Sequence, residues 1–173
     1  TVDVQKDHYY MVIRAWARNA ESRLIFAKKV VSDMHIVEEC ERWGIAQDGI
    51  DPAGKGCQVF VDGNYNTAEV QRICAKNGWM VLRGNNCKPF RHADGTYKMY
   101  GVPETRLRLA TLRDMEPQIW THARDIGVNY INQINSWIQV AKEDPRTGRV
   151  YYDFKRARGR ADHYYDAERM NLV

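Results

Sequence analysis

The first third of the chain alternates like a set of strands. Val2 and Val4 flank Asp3, so an extended backbone turns the carboxylate away from both valines. Residues 9–17, Tyr-Tyr-Met-Val-Ile-Arg-Ala-Trp-Ala, form a long β-prone run, and 22–31 form a third strand. Short polar stretches, Lys6-Asp7-His8 and Arg18-Asn19-Ala20-Glu21, join them, which predicts an antiparallel meander. The period then changes. Asp33 can cap a helix, and Ile36, Val37, Cys40 and Trp43 follow at helical spacing, closed by Gly44.

Residues 47–56 are rich in breakers (Asp48-Gly49, Asp51-Pro52, Gly54-Lys55-Gly56) and read as a loop. Gly54-Lys55-Gly56 lacks the rest of a phosphate-loop pattern, so no ATPase site is predicted. Residues 57–61 read as a buried strand with Asp62 at its last position. Gly63, Asn64 and Asn66 supply turn chemistry, and Asn66 or Thr67 can cap a helix whose apolar stripe is Val70, Ile73 and Cys74. Gly78 ends it, and residues 79–82 read as the next buried strand. The predicted order is β-β-β-α-β-α-β: a meander followed by parallel crossovers, hence an α/β fold with a mixed sheet and helices on its faces. Asp62 then lies at the carboxyl edge of a central strand, where ligands collect in open α/β sheets. Its plainer reading is a turn residue holding the loop.

The second half is less periodic. In residues 83–110, Arg83, Lys88, Arg91, His92 and Lys98 are interleaved with Phe90, Tyr97 and Tyr100, either a solvated loop or a surface tracking a nucleic-acid backbone. Leu107-Arg108-Leu109 alternates like an edge strand. Asp114 can cap a helix with Pro117 in its first turn and Ile119, Trp120, Ala123 and Ile126 on its apolar face. Residues 128–136 fit helix or strand equally. Residues 137–141 and 149–154, joined through Asp144-Pro145-Arg146-Thr147-Gly148, read as a hairpin. Lys155, Arg156, Arg158 and Arg160 follow, either a soluble linker or a phosphate-contacting stripe. The last element, residues 161–170, is helical. Asp162 and Asp166 are one turn apart on one face, and His163 neighbours Asp166 at i, i+3. A capping role explains Asp162 but not Asp166.

Composition narrows the classes. The chain has 173 residues, 44% hydrophobic and 28% charged, which fits one globular domain rather than a disordered segment. No apolar run reaches the roughly 18 residues of a membrane helix, and the start carries no secretory pattern. The net charge of +4 is compatible with a polyanionic partner. Cys40, Cys57, Cys74 and Cys87 lack metal-ligand spacing and read as reduced thiols in a cytosolic setting. The abrupt start, already in a strand, suggests a domain cut from a longer chain.

Taken together, Asp3, Asp62 and the closing Asp162-His163-x-x-Asp166 group offer hard oxygen donors from separated elements, suited to Mg²⁺ or Mn²⁺. With this element order they match the arrangement of ribonuclease H-like nucleases. The opening Val-Asp-Val-Gln, the Phe-Val-Asp-Gly-Asn-Tyr-Asn-Thr-Ala-Glu-Val stretch, the strand ending in Arg83-Gly84, and the closing Asp-His-Tyr-Tyr-Asp-Ala resemble the C-terminal nuclease domain of a tailed-bacteriophage large terminase subunit. The resemblance spans nearly the whole chain and is loose over 86–135.

That resemblance implies an upstream ATPase domain, two divalent ions, and cutting of concatemeric viral DNA during genome packaging. It also implies double-stranded DNA, a small terminase subunit and a portal protein as partners, in the host cytoplasm and away from membranes. By position, Asp3 and Asp62 correspond to the strand ligands. The family's closing motif usually carries a second acid where this chain has His163, so Asp166, His163 and Asp162 all stay candidates for the remaining ligand. Lys155, Arg156, Arg158, Arg160, Arg83, Lys88 and Arg91 are the expected DNA contacts. The alternatives are another nuclease of the same superfamily such as a junction resolvase, a catalytically silent DNA-gripping module, or a plain protein-interaction domain.

Overall fold

The computed structural model describes residues 1–45, 59–84, 91–92 and 95–173, with backbone alone for 91–92 and 95–100. Three strands open the chain: β1 (Val2–Val4), β2 (Tyr9–Trp16) and β3 (Ser22–Val30), paired antiparallel. Helix α1 (Asp33–Arg42) follows, then β4 (Phe60–Asp62), α2 (Thr67–Asn77) and β5 (Met80–Gly84). Strand β4 pairs parallel with both β1 and β5. The predicted meander followed by parallel crossovers is therefore present, and Asp62 ends its strand as expected. The predicted loop at 47–56 lies outside the described residues.

Beyond β5 come β6 (Arg91–His92), β7 (Gly95–Tyr100), α3 (Val102–Asp114), β8 (Trp120–His122) and α4 (Val128–Ile134). The hairpin β9 (Trp137–Glu143) and β10 (Val150–Arg156) precedes the last helix, α5 (His163–Met170). The main sheet runs β6-β7-β5-β4-β1-β2-β3-β8, and β9 and β10 form a separate two-stranded sheet.

Strand alternation splits the core into two layers. Val2, Val4, Met11, Ile13, Val61 and Val81 point to one face, where Ile36 and Cys40 of α1 and Val70, Ile73 and Cys74 of α2 cover them. Val12, Leu24 and Leu82 point to the other, covered by Tyr130 and Ile134 of α4 and Tyr164, Ala167 and Met170 of α5. Leu109 and Leu112 of α3 join Trp120 and Tyr165 in a third cluster. Helices thus cover both faces, as expected. Cys40 and Cys74 are buried free thiols, and burial pushes them up to about 11 and about 12, out of the reactive range. Cys57 and Cys87 lie outside the described residues.

Three expectations fail, the smallest being the cap of α1, where Ser32 rather than Asp33 accepts the His35 N–H. Leu107-Arg108-Leu109 is not an edge strand but the middle of α3, which buries Thr105, Leu109 and Leu112 at i, i+4, i+7 and carries Pro103 in its first turn. Three residues of local alternation misled where the longer period was helical. Asp114 ends α3 instead of opening a helix, and Trp120 lies in β8, paired parallel with β3 through Ser22↔Trp120 and Leu24↔His122. A three-residue strand is too short to show a period, and its pairing partner lies about a hundred positions away. Residues 128–134, which fit either state, are helical because Tyr130, Gln133 and Ile134 share the face buried against α5 and the sheet.

Candidate metal centre

The site is built on one row of the sheet. Strand register sets Asp3 opposite Tyr10 of β2 and Asp62 opposite Leu82 of β5. Val2 pairs with Val61 in the parallel β1–β4 ladder, so the next residues on each strand, Asp3 and Asp62, stand side by side on the α5 face. Adjacent strands run about 4.8 Å apart, so two carboxylates from positions 59 residues apart become neighbours.

The turn after Asp62 is built by close approach. The backbone N–H of Gly63 donates to the Leu82 carbonyl at 2.7 Å, and a Cβ at Gly63 would come within 2.4 Å of Val81 Cγ1. A side chain here would force the Val81 side chain or the strand spacing to give way. Asn64 then folds back: its backbone N–H (3.1 Å) and side-chain amide (2.8 Å) both donate to Asp62 Oδ1. Asn66 occupies the N-cap position of α2 with φ 46°, without capping through its side chain.

Helix α5 lies over this row. His163 Nδ1 is 3.0 Å from Asp3 Oδ2, which also accepts from Gln5 Nε2 at 2.7 Å. The Tyr10 ring stacks on the His163 ring at 4.5 Å, fixing the imidazole over Asp3. One turn on, Arg169 Nε donates to Asp166 Oδ1 at 3.0 Å, and a second guanidinium nitrogen reaches the same oxygen. Each of the three acids Asp3, Asp62 and Asp166 therefore has one engaged oxygen, while Asp3 Oδ1, Asp62 Oδ2 and Asp166 Oδ2 meet no hydrogen-bond donor among the described residues.

Asp162 differs. Its Oδ2 accepts from Trp137 Nε1 at 3.0 Å and its Oδ1 from Arg156 at 3.1 Å, so both oxygens point to the base of the hairpin. It stands at the N-cap position of α5 but makes no capping bond; Gln133 Oε1 accepts the Tyr164 N–H at 3.0 Å instead. Asp162→Ala is expected to cost roughly 1–3 kcal/mol by orphaning two donors. It should also speed amide exchange in β9 and β10. Unchanged exchange there would remove the anchor role.

Burial acts on two of these acids, Asp62 and Asp166. Burial, opposed by the Asn64 hydrogen bond, raises the Asp62 carboxyl to about 7, and the charges of Asp3 and Asp166 push the same way. Burial also raises Asp166, against the pull of Arg169. His163 is raised, chiefly by its hydrogen bond to Asp3. Burial is thus the main reason these carboxyls hold their protons, and the acids' mutual repulsion adds to it at Asp62 while Arg169 opposes it at Asp166. As placed, no group of three His, Cys, Asp or Glu side chains among the described residues could hold a metal ion. In donor type, the carboxylate oxygens of Asp3, Asp62 and Asp166 that meet no hydrogen-bond donor are the kind hard divalent cations take.

The predicted DNA contacts are divided. Lys155 and Arg158 are exposed. Arg156 is tied to Asp162, and Arg160 donates to the Asn135 carbonyl at 3.4 Å. Arg83 is half-buried at the end of β5 beside Gly63, its Nε without an acceptor among the described residues. Lys88 and Phe90 lie outside the described residues, and Arg91, His92, Tyr97, Lys98 and Tyr100 are described by their backbone only. Sequence reading missed Gln5, Tyr10, Asn64 and Arg169. The i, i+3 spacing of Asp166 and Arg169 was the one visible clue to the last.

The chain matches no protein-family model, no curated protein and no solved structure among those compared. Among the described residues, no helix is long and apolar enough to cross a membrane.

Proposed function

We propose that this domain is a divalent-metal-dependent phosphodiesterase of the ribonuclease H-like type, acting on duplex DNA. Within that class we read it as the nuclease domain of a phage large terminase, cutting concatemeric DNA during packaging. The observation that carries the reading is the β1–β4 register: it sets Asp3 beside Asp62 on the face that α5 covers with His163 and Asp166.

In this reading Asp3, Asp62 and Asp166 would hold Mg²⁺ or Mn²⁺, with His163 beside them. A pair of such ions lowers the pKa of bound water and neutralises charge on the leaving oxygen. The residues supply the rest. Gln5 and Asn64 fix the orientation of two carboxylates by hydrogen bonds to one oxygen each, leaving the other for a ligand. Tyr10 holds the His163 ring in place. Arg169 keeps part of the Asp166 charge compensated in the metal-free protein. Lys155 and Arg158, exposed at the foot of the hairpin, would contact backbone phosphates without reading bases.

The test is nicking of supercoiled plasmid over a series of Mn²⁺ and Mg²⁺ concentrations. Conversion to open-circular and linear forms that stops with EDTA is the expected result. An intact plasmid at every concentration, together with salt-sensitive DNA binding, would instead establish the silent DNA-gripping module. The Asp166–Arg169 pairing is the feature that favours that second reading.

A further inference from the structure

The Trp137 ring at the foot of the hairpin carries a cation that the acid site does not use. Arg106, in the second turn of α3, lies with its guanidinium carbon 3.6 Å from the centre of the Trp137 ring. The same indole donates through Nε1 to Asp162, whose other oxygen accepts from Arg156. Arg156 is the cross-strand partner of Trp137. Two guanidinium groups thus converge on one Trp–Asp unit, at the start of the helix that carries His163 and Asp166.

Their bonding differs. Arg156 has its carboxylate. Arg106 is half-buried, yet among the described residues it makes no hydrogen bond or ion pair, and its Nε is buried without an acceptor. A buried donor left unmade is costly, and native proteins seldom leave one without a reason. Stacking on an aromatic face holds the planar fork in one orientation, which lowers the entropy lost when an anion arrives. A guanidinium so held matches a phosphate bidentately, where lysine offers only a point charge. Burial, then the nearby positive charge of Arg169, push Arg106 toward its neutral form, while Tyr165, Asp166 and Asp162 pull the other way.

We infer that Arg106, stacked on Trp137 and flanked by Arg156, is a phosphate clamp that grips one backbone phosphodiester of duplex DNA next to the acid site. This rests on the DNA-directed reading above and adds to it the residue that sets where the strand lies. Arg106 is a binding and positioning residue; it touches the backbone and takes no part in proton transfer.

The experiment measures affinity of the chain for a 20-base-pair duplex of arbitrary sequence, in EDTA, across a salt series. It compares wild type with Arg106→Ala, Arg106→Lys and Arg108→Ala. Arg108 is exposed on the same helix, so its removal changes the net charge equally. Arg106→Ala is expected to weaken binding by about tenfold or more and to flatten the salt dependence by about one phosphate contact. Arg106→Lys should keep the slope but not the affinity, and Arg108→Ala should stay within about twofold of wild type. Thermal melting of each variant separates lost contact from lost fold, and Arg106→Lys supports the clamp even if Arg106→Ala melts early. If wild type binds and Arg106→Ala binds as Arg108→Ala does, the clamp is overturned while the DNA reading stands. If wild type binds no duplex even at low salt, both fall.

Discussion

Asp62→Asn is expected to stabilise the metal-free protein at pH 8 while abolishing metal-dependent nicking. Asp62 carries a carboxyl raised to about 7, first by burial and then by Asp3 and Asp166. The sign follows from linkage. A carboxyl that holds its proton more tightly in the folded state than in the unfolded one loses stability as pH rises from about 4 to about 7, and the full cost is present above that. Asparagine removes the charge. Its side-chain oxygen still accepts the two bonds from Asn64 that Asp62 Oδ1 accepts now. The gain above pH 7 should be on the order of 1–3 kcal/mol after allowing for solvent at a half-buried group, or about 2–4 °C in melting temperature per kcal/mol. The gap should close below about pH 5. Mn²⁺ should raise the melting temperature of wild type more than that of the variant, because binding to the folded state alone stabilises it. Nicking should fall about a hundredfold or more. A turn residue with no metal role predicts the reverse: about 1 kcal/mol lost, no pH dependence, and cutting retained.

The second large effect lies outside the site, at Glu168. Its carboxylate meets Arg14 through two bonds of 2.9 and 3.0 Å, and both side chains are fully buried. Tyr130 donates to the same carboxylate at 2.5 Å, Arg14 donates onward to Ser22 and the Thr121 carbonyl, and its guanidinium lies 3.5 Å over Trp120. One ion pair thereby ties α5 to β2, β3, β8 and α4. Glu168→Ala leaves a buried guanidinium without its counter-charge and is expected to cost about 3–5 kcal/mol. Joint replacement, Arg14→Met with Glu168→Leu, should cost much less, because no uncompensated charge stays behind. Denaturant melts of the two single variants and the double give the coupling directly. A double variant no more stable than Glu168→Ala would show that the pair acts through shape rather than charge. Glu168 is two residues past Asp166, so loosening this pair also loosens the helix that carries half the acid site.

Neither the Arg14–Glu168 pair nor the position of β8 can be read along the chain. Arg14 sits in a strongly β-prone run where a charge looks like a solvent-facing position, and 154 residues separate it from its partner. The face occupied by Leu24 depends on an irregularity in the β2–β3 ladder, where Ile13 pairs with Phe26 but Arg14 with Leu24. Ile25 is the extra residue, and it puts Leu24 and Phe26 on opposite faces of the sheet. Nor does spacing along α5 separate Asp162 from Asp166. Both are acids on one helical face, and only Trp137 and Arg156, brought in by the hairpin, turn Asp162 away.

The local rules did determine a good deal by themselves. Alternation in Val2-Asp3-Val4 decided which face Asp3 takes, because side chains of an extended strand have a period of two whatever they pack against. The apolar run ending at Asp62, with Gly63 and Asn64 after it, decided that a carboxylate stands at a strand end, and the Asp-Pro…Gly stretch decided the hairpin. What the tertiary structure decided was adjacency: Asp3 beside Asp62, His163 over Asp3, Arg106 on Trp137. Those contacts join positions 31 to 160 residues apart. They are set by sheet register and helix docking, which depend on how the two core layers fill space and leave no period in the sequence.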